Sequence, residues 1–358
     1  MMQATSVLVR SFRNLADAAL ELPGEGVALI GPNGHGKTNL LEAIGYPVLF
    51  RSVRGAADRE VGRFGGPGFH VGLTMAGGGE LEATWSAATR RKRIVADGEE
   101  QATITGALGR WLAVAFLPTD VALVHGGAGE RRRWMDRMLS LADRTYLAAL
   151  LRYRGALAQR NAALRSGDHR AAEAFEGLLA SQGAVVVSKR LQWVEQSSGP
   201  WQSELEALGE VVPVGLRYRG DESLVDPGAW EAKFGASRGR DQARGQSHVG
   251  PHRDDLVLHL GGHSLRDYGS TGQQRSAAIA LRLLELETLA VARAVRPALL
   301  VDDLFAALDA TRQAHLAARL IARPGQRIVT APRAEDVPVE LALPRWTVRD
   351  GVITPGAG

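Results

Sequence analysis

No cysteine occurs in the 358 residues. That excludes disulfide staples and thiolate metal sites, and it fits a reducing compartment. No run of about eighteen apolar residues occurs either, so no membrane-spanning helix and no membrane partner are expected. The apolar start at residues 7–9 is broken at once by Arg10, which leaves no core for a signal peptide. The expected location is therefore cytoplasmic. Lysine is nearly missing: Lys37, Lys92, Lys189 and Lys233 are the whole set, and arginine supplies the rest of the 43 basic side chains. Against 39 acidic residues the formal charge is +4, a mild basic excess and not a polybasic tail. Arginine suits bidentate phosphate contacts, but a GC-rich coding sequence produces the same bias. What is present is ordinary globular material, 45% hydrophobic, in a chain long enough for two or more lobes.

Along the chain the grammar changes three times. Residues 7–9, 18–22 and 27–30 read as short strands, the third leading straight into a glycine-rich loop and then a helix. Residues 70–75, 81–86 and 91–95 alternate and are separated by turns such as Asp97-Gly98, which predicts an antiparallel β subdomain. Residues 114–116 read as a buried strand. The stretch 119–244 then reads as an inserted helical domain, with one long helix over about 169–196 and no sustained heptads. Strands return at 256–260, 298–301 and 327–329, and at 346–348 and 352–353 around an Asp350-Gly351 turn, with a helix over 272–294 between the first two. The tail 355–358 is expected to fray. The organisation expected is α/β, with 1–118 and 245–358 forming one discontinuous domain around the insert.

The chemistry lies at the ends of these strands. Gly31-Pro32-Asn33-Gly34-His35-Gly36-Lys37-Thr38 has the glycine and Lys-Thr spacing of a P-loop. Such a loop turns backbone N–H groups toward phosphate oxygens at a helix N-terminus. Lys37 would reach the β- and γ-phosphates of ATP, and Thr38 would ligate Mg²⁺. The apolar strand 298–301 ends in Asp302 and Asp303. Asp302 is placed to share that Mg²⁺, and Asp303 to orient or deprotonate an attacking water. Ser270-Thr271-Gly272-Gln273 puts small polar residues at the start of a helix, either as a plain N-cap or as a second anion site.

In that order the segments resemble ABC-type ATPases, with Ser270, Thr271, Gly272 and Gln273 in the signature loop and Asp309 in the D-loop. The resemblance implies an ABC-type P-loop ATPase core in which the two loops of one chain face different nucleotides, so that an ATP-dependent homodimer shares two ATP molecules. Two further segments narrow it. They are Pro118 to Asp136, with Arg131-Arg132-Arg133-Trp134-Met135-Asp136, and Gly250-Pro251-His252-Arg253-Asp254-Asp255. With Phe12-Arg13-Asn14 they resemble the RecF family over essentially the whole chain. That resemblance implies Arg13 as a nucleotide contact and double-stranded or gapped, single-/double-strand junction DNA as partner. It further implies a slow ATPase used as a switch, and cooperation with RecR and RecO in loading RecA. Asp303 and Thr330 stand where transporter ATPases carry glutamate and histidine, and no Q-loop glutamine is evident, all of which argues against a transporter subunit. A DNA-bridging protein of the SMC type would need long heptad arms.

Weaker signals remain open at this level. Arg131–Arg133 could be a solvated face or a phosphate site, and Arg90-Arg91-Lys92-Arg93 could send alternate side chains toward DNA. His248, His252 and Asp254 could suggest a metal site, but Gly250-Pro251 keeps them off one helical face. Arg253 could brace the nucleotide lobe. Trp134, Trp193 and Trp201 read as core.

Overall fold

The computed structural model describes residues 2–356; residues 357 and 358 of the tail expected to fray lie outside the described residues. Up to Asp120 the elements are β1 (Ala4–Arg10), β2 (Ala18–Glu21), β3 (Gly26–Ile30), α1 (Lys37–Gly45), α2 (Asp58–Val61), β4 (Gly68–Met75), β5 (Glu80–Ser86), β6 (Arg91–Ala96), β7 (Glu99–Glu100), α3 (Ile104–Ala107) and β8 (Ala113–Phe116). There follow α4 (Ala122–His125), α5 (Ala128–Ala142), α6 (Arg144–Ser166), α7 (His169–Ala174), α8 (Glu176–Ala207), β9 (Val214–Arg219), α9 (Pro227–Arg244), β10 (Asp255–Leu260), β11 (His263–Ser264) and α10 (Leu265–Tyr268). The chain closes with α11 (Thr271–Arg293), β12 (Ala298–Val301), α12 (Ala310–Ile321), β13 (Arg327–Ala331), β14 (Arg345–Arg349) and β15 (Val352–Thr354).

Two compact units result. The first takes the residues up to Asp120, Ala207–Gly209 and those from Glu285 onward; the second takes Val121–Glu206 and Glu210–Leu284. Among the described residues the first unit holds two six-stranded sheets. One, in the order β2-β1-β4-β5-β6-β7, is antiparallel throughout. It contains the expected β subdomain and also claims the first two strands of the chain, whose alternation of buried Val7 and Val9 with half-buried or exposed neighbours suits a one-sided sheet. The other runs β15-β14-β3-β13-β12-β8, with β14, β3, β13, β12 and β8 parallel. Its central strands β3 and β12 are almost wholly apolar and buried, as strands covered on both faces must be. Helix α1 lies against both sheets, touching β12, β13 and β8 of the one and β4 of the other.

The second unit is mainly helical. Asp143 caps α6 by accepting from the N–H groups of Thr145 and Tyr146, and Gly167 ends it at φ 77°. Asp226 and Pro227 start α9, and Gly245 ends it at φ 62°. The single helix expected over 169–196 is two, α7 and α8, and the second runs on through Pro200 to Ala207. The stretch 119–244 is also not helical throughout. Strand β9 lies within it and pairs antiparallel with β10 to form a three-stranded sheet with β11. That pairing ties residues beyond 244 to the helices before them, so the second unit extends to Leu284.

The two segments that narrowed the resemblance meet inside this unit, and arginine joins them. Arg131 is 4% exposed and forms a bidentate pair with Asp255, Nε to Oδ1 at 2.8 Å and Nη2 to Oδ2 at 3.0 Å. Its Nη1 donates to the Gly126 carbonyl at 2.9 Å, closing the loop before α5. Arg190, from α8, donates to Asp136 at 2.7 Å and to the Pro251 carbonyl at 2.7 Å. Arg131 is thus neither a solvated face nor a phosphate contact but a buried cross-link. Arg132 is half-buried and donates to the Asp254 carbonyl at 2.5 Å, and Arg133 is exposed beside Glu130. Arg253 is exposed, and the buried cross-links of this unit are Arg131 and Arg190 instead. Trp134 and Trp193 are buried edge to face, 5.5 Å between ring centres, and Trp201 is fully buried.

The histidines are spoken for. His248 bonds Asp241 at 2.8 Å. His252 accepts from the Tyr153 hydroxyl at Nδ1, 2.6 Å away, and donates from Nε2 to the Ser247 carbonyl at 3.0 Å, a pattern that requires the neutral ring. Burial pushes the His252 imidazole down to about 4; the Ser247 carbonyl and Asp241 oppose that shift, while Arg253 and Arg132 add to it.

Two outcomes follow from these contacts. Arg131→Met removes one partner of a buried pair and leaves Asp255 short of a cation, so urea unfolding should show a loss of about 3–5 kcal/mol. A loss under about 1 kcal/mol would mean that the pair does not fix the segments. For His252, an unfolded chain takes up the proton near pH 6.5 while the folded one resists it down to about 4. Stability is then full above about pH 6.5 and falls with acid through that window, by up to about 1.4 kcal/mol per pH unit. Unfolding curves for wild type and His252→Gln should converge as the pH drops, and parallel curves would refute the assignment.

Candidate functional site

The P-loop lies at the carboxyl end of β3, where ligands of parallel sheets bind. Glycine is forced at Gly31, because a Cβ there would stand 2.1 Å from the Val348 carbonyl oxygen. It is forced again at Gly36, which turns at φ 112° to start α1. Asn14 donates to the Gly34 carbonyl at 3.0 Å, and His35 takes the N–H of Asp350 at 3.0 Å, so both neighbours hold the loop. Lys37 is 3% exposed. Its ammonium donates to the Gly31 and Pro32 carbonyls at 2.8 and 3.2 Å and lies 4.0 Å from Asp303. Pro32, Asn33 and Gly34 are exposed.

Asp302 follows the last residue of β12, beside β8 and β13, and is 6% exposed. The Thr38 hydroxyl donates to its Oδ1 at 2.7 Å. Thr330 Oγ1, at the end of β13, is 2.8 Å from the same oxygen and 3.1 Å from Asp303 Oδ1, and it accepts the N–H of Asp303 at 2.9 Å. Burial raises the Asp302 pKa, the two threonine bonds pull it back, and the charge of Asp303 adds to the rise. Asp303 is half-buried with φ 44°. The oxygen donors of Thr38 and Asp302 suit a hard cation that keeps water and phosphate oxygens as its other ligands. The exposed loop N–H groups at the start of α1 suit phosphate. The residues present therefore fit Mg²⁺ and ATP, and Thr38 and Asp302 are the oxygen donors that could hold the cation.

Arg13, the expected nucleotide contact, has partners inside the first unit. It sits at φ 52° and forms a bidentate pair with Glu42, both bonds 3.0 Å, while Nη1 reaches the Glu60 carbonyl at 2.6 Å. Glu42 is fully buried in α1 and also takes the Ser52 hydroxyl. Sequence reasoning missed Glu42, because a lone carboxylate on a helix beside a P-loop reads as solvated. The available signal was that residues 40–48 around it are otherwise apolar or aromatic, as in a helix buried on all sides.

Ser270 and Gln273 form a reciprocal cap on α11. The Ser270 N–H donates to Gln273 Oε1 at 2.9 Å, and the Gln273 N–H to Ser270 Oγ at 3.3 Å. Ser270 and Thr271 are exposed, with Gly272 and Gln273 half-buried. Asp309 caps α12, accepting from the Arg312 N–H at 3.0 Å and its guanidinium at 2.7 Å; these two bonds, backbone first, hold its carboxyl below the usual range. The structure brings residues 31–38, Asp302, Asp303 and Thr330 together in the first unit, while residues 270–273 lie in the second. Among the described residues no helix is long and apolar enough to cross a membrane.

No protein-family model matches the chain. Its relatives nonetheless include the DNA replication and repair protein RecF of Frankia alni, 36% identical over 98% of this chain and 99% of that one. The RecF of Roseiflexus castenholzii is 34% identical over 99% and 100%. Among solved structures, the recombination mediator protein RecF-ATP of the RecFOR pathway superposes with a TM-score of 0.90, covering 99% of this chain and 98% of that one at 27% identity. The Smc head domain of Pyrococcus furiosus, at 15% identity and a TM-score of 0.58, shares the fold alone over 99% of this chain and 96% of its own. The fold shared with RecF-ATP and the identity carried along nearly the full length agree: the chain belongs to the RecF family of DNA replication and repair proteins.

Proposed function

We propose that the chain is an ATP-switched DNA clamp of recombinational repair. Two copies close around ATP on gapped or junction DNA, work with RecR and RecO in loading RecA, and let go when ATP is slowly hydrolysed. The observation that carries the ATP reading is the Thr38–Asp302 bond of 2.7 Å, which joins the P-loop to the end of β12 in a member of the RecF family. A solved relative is described as RecF-ATP of the RecFOR pathway, which supports the same reading.

In this reading the loop N–H groups of residues 31–38 and Lys37 hold the phosphates, and Thr38 and Asp302 hold Mg²⁺. Bound there, ATP supplies the phosphoanhydride bond and Mg²⁺ the charge that neutralises its phosphates. Asp303 holds a carboxylate at the rim, half-exposed, where it can take a proton from water. Ser270, Thr271, Gly272 and Gln273 serve the nucleotide of the second copy, because their exposed helix start offers N–H dipoles to an anion. Asp309 serves that same junction between copies. One P-loop and one such helix start per chain suit a two-fold pair.

Gel filtration with and without Mg²⁺-ATP tests the pairing. Wild type should shift to a dimer with ATP. Lys37→Ala should lose ATP binding and stay monomeric while keeping its fold. Ser270→Arg should bind ATP at wild-type affinity yet fail to dimerise, since a bulky cation then occupies the helix start. Dimerisation of Ser270→Arg at wild-type concentration would sink the shared-nucleotide arrangement.

Asp303→Asn keeps the shape and removes the basic oxygen. ATP binding and dimerisation should survive, single-turnover hydrolysis should fall by about 10²-fold or more, and residence on DNA after dilution into ATP-free buffer should lengthen. Wild-type hydrolysis by the variant would place the proton acceptor elsewhere. Slow hydrolysis with unchanged residence would separate hydrolysis from release.

A further inference from the structure

A cavity of about 160 Å³ opens in the second unit between the first turns of α5, the middle of α6 and the Pro251-His252 segment. Four guanidinium groups line it: Arg132 and Arg133 from α5, Arg154 from α6 and Arg190 from α8. Among the described residues the one carboxylate on its wall is Asp136, and both its oxygens are engaged. Oδ1 takes Arg190 and the Tyr146 hydroxyl, and Oδ2 takes Arg154, at 2.7, 2.5 and 2.6 Å. Asp254, behind the wall, accepts from the Tyr218 hydroxyl and from Arg190. Arg132 makes no ion pair among the described residues; it donates to a neutral carbonyl, that of Asp254. Three cations, Arg132, Arg154 and Arg190, thus meet two carboxylates in a half-buried concavity, where Coulomb energies are several times those in bulk water. Burial, and then the charge of Arg190, lower the Arg132 pKa, while Asp255, Asp254 and Asp136 oppose that shift.

The shape restricts what can relieve that charge. Small-molecule sites run to about 300–1,000 Å³, so this cavity is too small for a nucleoside and large enough for one tetrahedral oxyanion. Gly129 lines it, and a Cβ there would lie 3.3 Å from Arg133 Nη1, the end of a flexible side chain. Helix α5 begins at Gly127 without a side-chain cap, so its first N–H groups add positive potential on the same side. His252 and Tyr153 are bonded to each other and contribute wall rather than charge.

We propose that this cavity holds one phosphate group, with Arg132 as its main contact and Arg133 and Arg154 at the mouth. The phosphate comes from a DNA backbone or from free phosphate. Arg133 and Arg154, 65% and 54% exposed, extend the positive surface outward from the cavity, which suits a chain of phosphates. Taking DNA as the source rests on the DNA-binding reading above; the phosphate site itself does not.

The test uses the full chain with Mg²⁺-ATP and a fluorescent duplex, titrated across a potassium chloride series. Arg132→Gln should weaken binding and reduce the slope of log affinity against log salt by about 0.9, the value for one lost phosphate contact. Arg132→Lys should recover part of that slope, and ATP binding should be unchanged in both. A second arm follows the ³¹P line of inorganic phosphate, which wild type should broaden and Arg132→Gln should not. Broadening lost in Arg132→Gln with the salt slope intact upholds the site and assigns it to free phosphate, overturning DNA as the source. No change in either arm overturns the site. A wild type that binds no duplex would sink the DNA-clamp reading and leave the phosphate arm to decide. Should Arg132→Gln unfold, the exposed pair Arg133→Gln with Arg154→Gln decides by the same two readouts.

Discussion

A buried carboxylate at the end of a parallel strand must find its donors inside the protein, and Asp302 finds them in two threonines. An unsatisfied group of this kind costs about 1–3 kcal/mol or more. Thr38 brings the hydroxyl from the first turn of α1, and Thr330 brings the other from the end of β13. Those two residues belong to elements that neighbour each other only because β3, β13 and β12 run parallel in register, with Val301 opposite Val329 and Thr330 opposite Leu29. One carboxylate therefore fixes the phosphate loop against the strand that faces it. Threonine suits the task because branching at Cβ stiffens χ1. A single Thr330 proton serves two carboxylates while the oxygen accepts from the Asp303 backbone, so these three residues act as one unit.

Arginine does in the second unit what threonine does in the first. Arg131, Arg160 and Arg190 are each under 5% exposed. Each spans elements far apart in sequence: Arg131 reaches Asp255, Arg160 reaches Asp241 and Ser247, and Arg190 reaches Asp136 and Pro251. The planar fork satisfies several acceptors at once in a fixed geometry, which a lysine cannot. The scarcity of lysine in the composition is then partly structural, whatever the coding bias contributes. Pairs of this kind add little net stability compared with apolar packing, but they penalise any arrangement that leaves one partner alone.

Much of this was legible in advance where the chemistry is local. The P-loop, the Asp302-Asp303 step and the strands around them follow from short patterns, because backbone turns and apolar runs are set by neighbours in sequence. The α/β core with its antiparallel sheet was legible for the same reason. Strand β9 was not, although Leu216 and Tyr218 alternate with exposed Arg217 and Arg219, because helices on both sides dominated the reading. The partners of Arg13 and Arg131 were not legible, because Glu42 and Asp255 lie 29 and 124 residues away. No periodicity reports a contact of that kind. The partners of these histidines were equally out of reach: His248 Nδ1 meets Asp241, and the two His252 nitrogens meet Tyr153 and Ser247.

Asp303 shows how the fold and the proposed chemistry constrain one another. Its φ of 44° lies in the left-handed region, which costs a residue with a Cβ on the order of 1–3 kcal/mol. Glycine would relieve that cost, yet the position carries a side chain, and what it carries is a carboxylate. The conformation persists because the Asp303 N–H is held by Thr330 and the preceding strand is clamped between β8 and β13. Its effect is to turn the carboxylate out of the strand direction, to 4.0 Å from the Lys37 ammonium and to 27% exposure, whereas Asp302 beside it stays buried. Two adjacent aspartates thus occupy different environments. The buried one is bonded to hydroxyls and suited to a cation, and the half-exposed one is open to water and suited to accept a proton. The backbone strain is what separates them, and replacing Asp303 by another residue with a Cβ but no carboxylate would keep the strain and remove the proposed proton acceptor.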